Sequence, residues 1–447
     1  MRPTSTQRAV AGRVVPLAVA VGLATPAVAL RSLGVEPAPL TGVLLYGAAF
    51  IGAALLLAWG TELAQLDLPP GLAIAILAFI AIMPEYAIDL LFAYQAGDDP
   101  SKAPLALANM TGANRLLIGV GWSLVVLVGY AGFRRARRRE GGPAQPERSS
   151  EQDPRKRRVP DGPGFQFLLS RLSAVDVVLL GLVSAYTLGF LLRTTLSVLD
   201  TVILFSAFGL YVYRLWRAPR EEREFIGPPA LISGFPTGVR RLVTVTLMAA
   251  AAMVILSVAE PFSGALVAAG EQVGVDPFLM VQWVAPFAAE TAELIPACLF
   301  AWRQSADEGL GTLLSSKINQ WTLLVGAVPV AYAAATLQAS GLPVDAVQRQ
   351  ELFLTAAQSL FAVSLLTDLR LGVREALTIL ALFLTDFAGS VALSEPLRSW
   401  LRVGFGLLYL ALGLLRLAAA RGRLAGLVQD GLRTPPALLA QQERTRA

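Results

Sequence analysis

Four carboxylates stand where a carboxylate is expensive. Glu85 and Asp89 lie inside one long apolar stretch, Glu290 and Glu293 inside another. A charged side chain at the centre of a membrane span costs about 2.5–3.5 kcal/mol on insertion scales, so acids that persist there face the protein interior and bind something. Asp89 follows Glu85 by one helical turn and Glu290 precedes Glu293 by almost one, which puts each pair on a common helix face. Pro84 lacks an N–H and is expected to disrupt the helix beside Glu85, freeing backbone carbonyls. Charged and neutral oxygens arriving from several directions are what a hard cation such as Ca2+ requires. Asn109, Thr111 and Asn114 can add neutral oxygens after the first pair, and Thr312, Ser315 and Ser316 after the second. Plainer readings compete. Glu85 can be a buried acid satisfied by an arginine. Asp89 and Glu290 can each be a second carboxylate of the site, a proton carrier or a counter-ion. Asp176, Asp200, Asp368 and Asp386, most of them near span ends, read as capping or interfacial acids.

The elements that must position these groups are membrane helices. The chain has 447 residues, 55% hydrophobic and only 15% charged, with mean hydropathy +0.59. A soluble domain carries about 25% charged residues, so a soluble enzyme and a nucleic-acid-binding domain are excluded. The net charge of +5 comes from basic residues clustered between apolar runs. One cysteine, Cys298, excludes an intramolecular disulfide, and the absence of histidine excludes histidine-ligated metals. No phosphate-loop motif is present, so no nucleotide is expected.

Twelve apolar runs fall at residues 14–30, 41–59, 72–94, 105–130, 174–192, 201–216, 242–258, 278–302, 318–337, 353–366, 376–393 and 403–420. The first is kept as a span rather than a signal peptide, because Pro26 interrupts it and no cleavage site is evident. With the N-terminus in the cytoplasm and twelve crossings, 29 of the 37 basic residues fall in cytoplasmic segments and 6 outside. That asymmetry fits the positive-inside rule and places both termini in the cytoplasm of a multi-pass cell membrane protein of bacterial type. The long hydrophilic stretch, 133–172, reads as a basic cytoplasmic linker.

The two acid-bearing segments are similar. Pro84-Glu85 is followed by Ala108-Asn109-Met110-Thr111-Gly112-Ala113-Asn114, and Glu293 by a run from Gly311 through Ser315, Ser316 and Lys317 to Gly326. The assigned topology sends them across the membrane in opposite directions, the signature of an inverted repeat. Here the chain resembles the cation/calcium exchanger superfamily, whose repeat reads roughly G-T-S-x-P-E-L and then G-N-x-x-G-S-N-I-F-N-x-L-L-V-L-G. The resemblance implies an all-α polytopic membrane protein of about twelve helices, two inverted five-helix repeats with an extra helix at each end. Residues 1–39 would be the extra helix, 40–132 the opening stretch of the first repeat with the first motif, 133–172 the linker, and 173–216 the rest of that repeat. A cytoplasmic loop, 217–241, would lead to 242–394 (second repeat, with the second motif) and 395–447 (extra helix and cytoplasmic tail).

The resemblance further implies a secondary cation antiporter, not an enzyme, exchanging Ca2+, Na+, K+ or H+ by alternating access. Glu85 and Glu293 would bind the ion, with Asn109, Thr111, Asn114, Ser315, Ser316, Glu290 and Asp89 as further ligands. The helices at 41–59 and 242–258 would slide past the motif-bearing scaffold. No cofactor is implied beyond the transported cation, and the partners are lipid and ions. The departures matter as well. Ala81 and Ile82 replace the family's hydroxyl pair, Ala292 its second proline, and Lys317 its asparagine, while Arg115 follows Asn114 directly. An ammonium among carboxylates can stand where a metal ion would bind, which would reduce the ions carried and favour proton coupling. The plainer reading of Lys317 is snorkelling to the interface. Two other functions stay open: a non-transporting sensor or assembly relative, and a membrane-embedded lipid-processing enzyme.

Overall fold

The computed structural model describes residues 5–139, 165–219, 227–272, 285–338 and 341–444. Its helices, in chain order, are α1 (Ser5–Ser32), α2 (Pro39–Ala64), α3 (Pro70–Gln95), α4 (Ala103–Leu116), α5 (Ser123–Arg139), α6 (Ala174–Thr187), α7 (Val198–Trp216), α8 (Pro228–Ile232) and α9 (Thr237–Gln272). They continue as α10 (Ala285–Trp302), α11 (Ala306–Asn319), α12 (Val325–Thr336), α13 (Ala346–Leu365), α14 (Val373–Ala392), α15 (Leu397–Ala419), α16 (Arg421–Leu432) and α17 (Pro436–Arg444). Each of the twelve apolar runs falls on helical structure, residues 278–284 of the eighth lying outside the described residues. Nine helices among the described residues are long and apolar enough to cross a membrane, and Pro70–Met83 and Glu293–Trp302 are shorter apolar segments. α13 is not one of the nine, because its buried face carries Gln348, Glu351, Thr355, Gln358, Ser359 and Ser364.

Two compact units divide the chain, one from 1–85 and 219–296, the other from 86–218 and 297–447. Two of the three boundaries fall inside helices, at Glu85 in α3 and Pro296 in α10, and the third just past α7. In the first unit α2 packs along α9, with α1 beside them. Small residues allow the approach: a Cβ on Gly52 would meet the Ala20 carbonyl oxygen at 2.4 Å. Phe50 and Phe262 join α2 to α9 with ring centroids 5.2 Å apart. Just past α2, Asp67 accepts from Arg241 Nη2 at 2.8 Å and from Arg240 Nη2 at 3.2 Å.

In the second unit α4 and α11 are both followed directly by a π-helical turn, Leu117–Trp122 and Gln320–Leu324. Each of these helices has 14 residues, so the insertion comes at the same place after each motif. A π turn inserts a residue and re-aims the helix beyond it, and such turns occur frequently at functional sites. Short strands tie the unit together: β1 (Gln166–Leu168) pairs antiparallel with β4 (Arg370–Gly372), and β2 (Thr195–Leu196) with β3 (Leu342–Pro343). β1 precedes α6 as β3 precedes α13, and β2 precedes α7 as β4 precedes α14. Each strand therefore pairs with the one that precedes the other kind of helix in this series.

Four expectations change. α3 runs unbroken from Pro70 to Gln95, so the proline at 84 does not end the helix. The basic run from Arg134 to Arg139 belongs to α5, and β1 lies within the expected linker; residues 140–164 lie outside the described ones. The 217–241 loop contains α8, with 220–226 outside the described residues. The tail after α15 folds into α16 and α17, where Arg214 donates to the carbonyls of Asp430 at 2.8 Å and Thr434 at 2.6 Å.

This packing has two measurable consequences. A Cβ on Gly119, in the first π turn, would meet Phe383 of α14 at 2.3 Å. Gly119→Val is expected to cost about 1–3 kcal/mol by overpacking, read as a lowered melting temperature in detergent. Asp67 is held below its usual carboxylate range, chiefly by the hydrogen bond from Arg241, against the opposing effect of burial. A depressed carboxylate stabilises above its unfolded pKa and loses that contribution as pH falls through the folded value. Melting curves of wild type and Asp67→Asn should therefore converge as the pH drops below about 4.

Candidate cation site

The sequence-predicted acids are all buried. In the first unit Glu85 is 3% exposed, and Glu290 and Glu293 are each 1% exposed. α3 and α10 place them in mid-helix, away from the helix caps. Among the described residues no three His, Cys, Asp or Glu side chains gather to hold a metal ion. A cation held here needs neutral oxygens as well.

The neutral candidates lie in the second unit, and their hydrogen bonds show what each oxygen is free to do. Asp89, fully buried, accepts from Asn109 Nδ2 at 2.8 Å, and among the described residues its Oδ2 accepts no hydrogen bond. Thr111 donates back to the Leu107 carbonyl at 2.9 Å, which leaves its lone pairs available. Asn114 donates to the Met110 carbonyl at 2.8 Å, so its carboxamide oxygen points away from its own helix. That oxygen accepts from Lys317 Nζ at 2.7 Å. Thr312 bonds to the Glu308 carbonyl at 2.7 Å. Ser316 is buried with no hydrogen-bond partner among the described residues, and Ser315 meets the Tyr211 hydroxyl at 2.6 Å. The neighbouring Tyr86 donates to Asn319 Oδ1 at 2.6 Å, tying the end of α3 to α11.

Lys317 is completely buried, and its ammonium lies 4.5 Å from the centroid of the Trp321 ring. The snorkelling alternative is therefore wrong: the charge is kept inside by an amide oxygen and an aromatic face, a cation–π arrangement. Lys317 and Asn114 occupy the same position in the two motif helices, and they meet.

Arg115 faces a different set of partners. Its guanidinium bonds to Glu351 of α13 and, at 2.7 Å, to Asp386 of α14. Arg402 of α15 stands 3.9 Å from Glu351 and 2.7 Å from Glu395. Asp386, read as a capping or interfacial acid, is 1% exposed in the middle of α14, and its charge is met by Arg115. Asp176, in the first turn of α6, is buried and accepts from the Tyr211 hydroxyl at 2.8 Å. Asp200 does cap, forming a reciprocal box with Ser197. Buried polar groups unmarked by the motifs include Glu351, Tyr211 and Glu62, an acid 7% exposed in α2. A signal for the first two existed. Asp176 and Tyr211 stand at the same spacing from Val198, the start of α7, as Glu351 and Asp386 do from Val373, the start of α14.

A helical fold with several membrane-crossing segments, buried carboxylates and a buried lysine on an asparagine oxygen defines a multi-pass membrane transporter of ions. The profile of the sodium/calcium exchanger protein family matches residues 39–217 and 243–386. The chain belongs to that family. A crystal structure of the H+/Ca2+ exchanger CAX is similar at 32% identity and a TM-score of 0.76, covering 95% of this chain and 98% of that one. Two structures of the sodium-calcium exchanger NCX_Mj share the fold at 15% identity. The one with 2.5 mM Na+ and 1 mM Sr2+ has a TM-score of 0.56 over 78% of this chain and 97% of that one. The one with 100 mM Na+ and 10 mM Sr2+ has a TM-score of 0.55 over 79% and 98%. A comparison with curated protein sequences finds no significant match.

Removing one partner of a buried ion cluster leaves uncompensated charge and costs about 3–5 kcal/mol. Arg115→Met should lower stability by about that much, and adding Glu351→Gln with Asp386→Asn should recover most of it. Thermal unfolding in detergent measures both.

Proposed function

We propose that this cation exchanger is a secondary antiporter that moves Ca2+, Na+ or K+ by alternating access, with H+ as a counter-ion. Glu85 and Glu293 bind the cation, and Glu290, Asp89, Asn109, Thr111, Asn114, Ser315 and Ser316 supply further oxygens. The observation that carries this reading is the burial of Glu85 and Glu293 at the motif positions of two helices that the family profile covers. Proton coupling is supported by the likeness to a protein described as an H+/Ca2+ exchanger. It is supported independently by Lys317, whose ammonium takes the Asn114 oxygen that a second cation would need.

The inverted arrangement of two five-helix repeats is supported by the equal motif helices, their π turns and the exchanged strand pairs. Twelve crossings with both termini in the cytoplasm follow from the distribution of basic residues. Access alternates as α2 and α9, which pack together within one unit, shift against the motif helices.

Reconstituted into vesicles, the protein should take up isotopic Ca2+ or Na+ against a gradient of the counter-ion. Glu85→Gln should reduce uptake by at least tenfold, the loss of about 1.4 kcal/mol of binding. Uptake that ignores the counter-gradient, or survives Glu85→Gln undiminished, contradicts antiport at this site. Lys317→Asn should change the number or identity of the ions exchanged, and unaltered selectivity and stoichiometry would reject the surrogate-cation role.

A further inference from the structure

The charge clusters of the second unit are built on one plan with different residues. In one half, the acid of α13 and the acid of α14, Glu351 and Asp386, close on the guanidinium of Arg115 from motif helix α4. In the other half the matching positions hold Asp176 on α6 and Tyr211 on α7. They close on the Ser315 hydroxyl from motif helix α11: Tyr211 Oη lies 2.8 Å from Asp176 Oδ1 and 2.6 Å from Ser315 Oγ. All three are buried, Tyr211 completely. The arginine-bound acids have a permanent counter-charge. Asp176 has a phenol, and among the described residues it makes no ion pair.

The neighbours of Asp176 keep it that way. On α11, Asp307 accepts from the Ser170 N–H at 2.6 Å and the Ser173 hydroxyl at 3.3 Å, and Glu308 is buried one residue on. Arg214 of α7 spends its guanidinium on the carbonyls of Asp430 and Thr434. Arg171, in the turn before α6, pairs with Asp430 of α16 at 3.6 Å and bonds to Gln442. α13 meets α6 through apolar Val363 opposite Gly181. Asp176 thus meets neutral donors, the Tyr211 hydroxyl and a backbone N–H, and acidic neighbours, with no guanidinium on it among the described residues.

We propose that Asp176 is a proton-binding site that controls cation binding through Tyr211 and Ser315. When Asp176 is ionised it can only accept, so Tyr211 donates to it and Ser315 donates to Tyr211. The Ser315 lone pairs are then left for a cation. When Asp176 takes one proton from water, its new O–H donates to Tyr211, Tyr211 donates to Ser315, and the Ser315 hydrogen turns outward. No bond within the chain breaks and no proton passes along it; the added proton stays on Asp176 and the Tyr211 and Ser315 hydroxyls reverse direction. A hydrogen in place of a lone pair repels a cation, so H+ at Asp176 and a cation at Ser315 exclude each other, which is the coupling an antiporter needs. This inference rests on the reading of Ser315 as a cation ligand in an exchanger.

The test is uptake and equilibrium binding of radioactive Ca2+ and Na+ by the full-length protein in vesicles between about pH 5 and 9, an interval on the order of the titration range of perturbed carboxylates. In wild type, binding should weaken as the pH falls. Asp176→Asn, whose amide can donate to Tyr211 as the protonated acid does, should bind about tenfold or more weakly at every pH, with a flat profile. Tyr211→Phe, which cuts the chain while keeping the ring, should lose the pH dependence whatever its rate. Asp176→Glu should restore it. A wild-type pH profile retained in Tyr211→Phe or Asp176→Asn overturns the proposal, as does wild-type exchange that ignores pH altogether, and both leave antiport standing. Wild-type protein that moves neither ion at any pH overturns the antiport reading and this proposal with it.

Discussion

A buried charge must be met, and most of the informative chemistry in this chain depends on how each one is met. Arg115 is held by two carboxylates. Lys317 is held by an amide oxygen and an indole face. Asp89 is held by the Asn109 amide, and Asp176 by the Tyr211 phenol and a backbone N–H. In a medium that cannot hydrate them, these arrangements differ sharply in how firmly they fix the charge. A guanidinium between two acids is locked, whereas a carboxyl met by neutral donors has no fixed counter-charge.

The scaffold serves that requirement. α4 and α11 deliver their polar residues at the same register, and each is re-aimed by a π turn immediately afterwards. The short strand pairs join the ends of the neighbouring helices where loops alone would leave them free. Aromatic packing does the rest. Trp321 donates to Thr187 at 2.9 Å while offering its ring to Lys317, so one side chain fixes both the helix contact and the ammonium.

Membership of the sodium/calcium exchanger family also shows where this chain departs from a symmetric pattern. An asparagine in one motif faces a lysine in the other. An arginine-centred cluster in one half is matched by a tyrosine and a serine in the other. The two motif helices, equal in length and each followed by a π turn, are thus unlike in charge.

Much was legible from linear order. Apolar run lengths and the spacing of Glu85, Glu293 and the motif residues obey local rules: the length of a span, the helical turn, the cost of a carboxylate in hydrocarbon. They were enough for the helical membrane class, the family and the acids in its motifs. The partners were not legible, because residues far apart in sequence choose one another only when helices pack. Nothing near Arg115 in the chain points to Glu351 and Asp386, and nothing near Ser315 points to Tyr211. The same holds for Lys317, whose place inside the protein rather than at its edge depended on Asn114, a residue on another helix. Pro84 shows the opposite limit: a local rule expected a break, and α3 runs on through it.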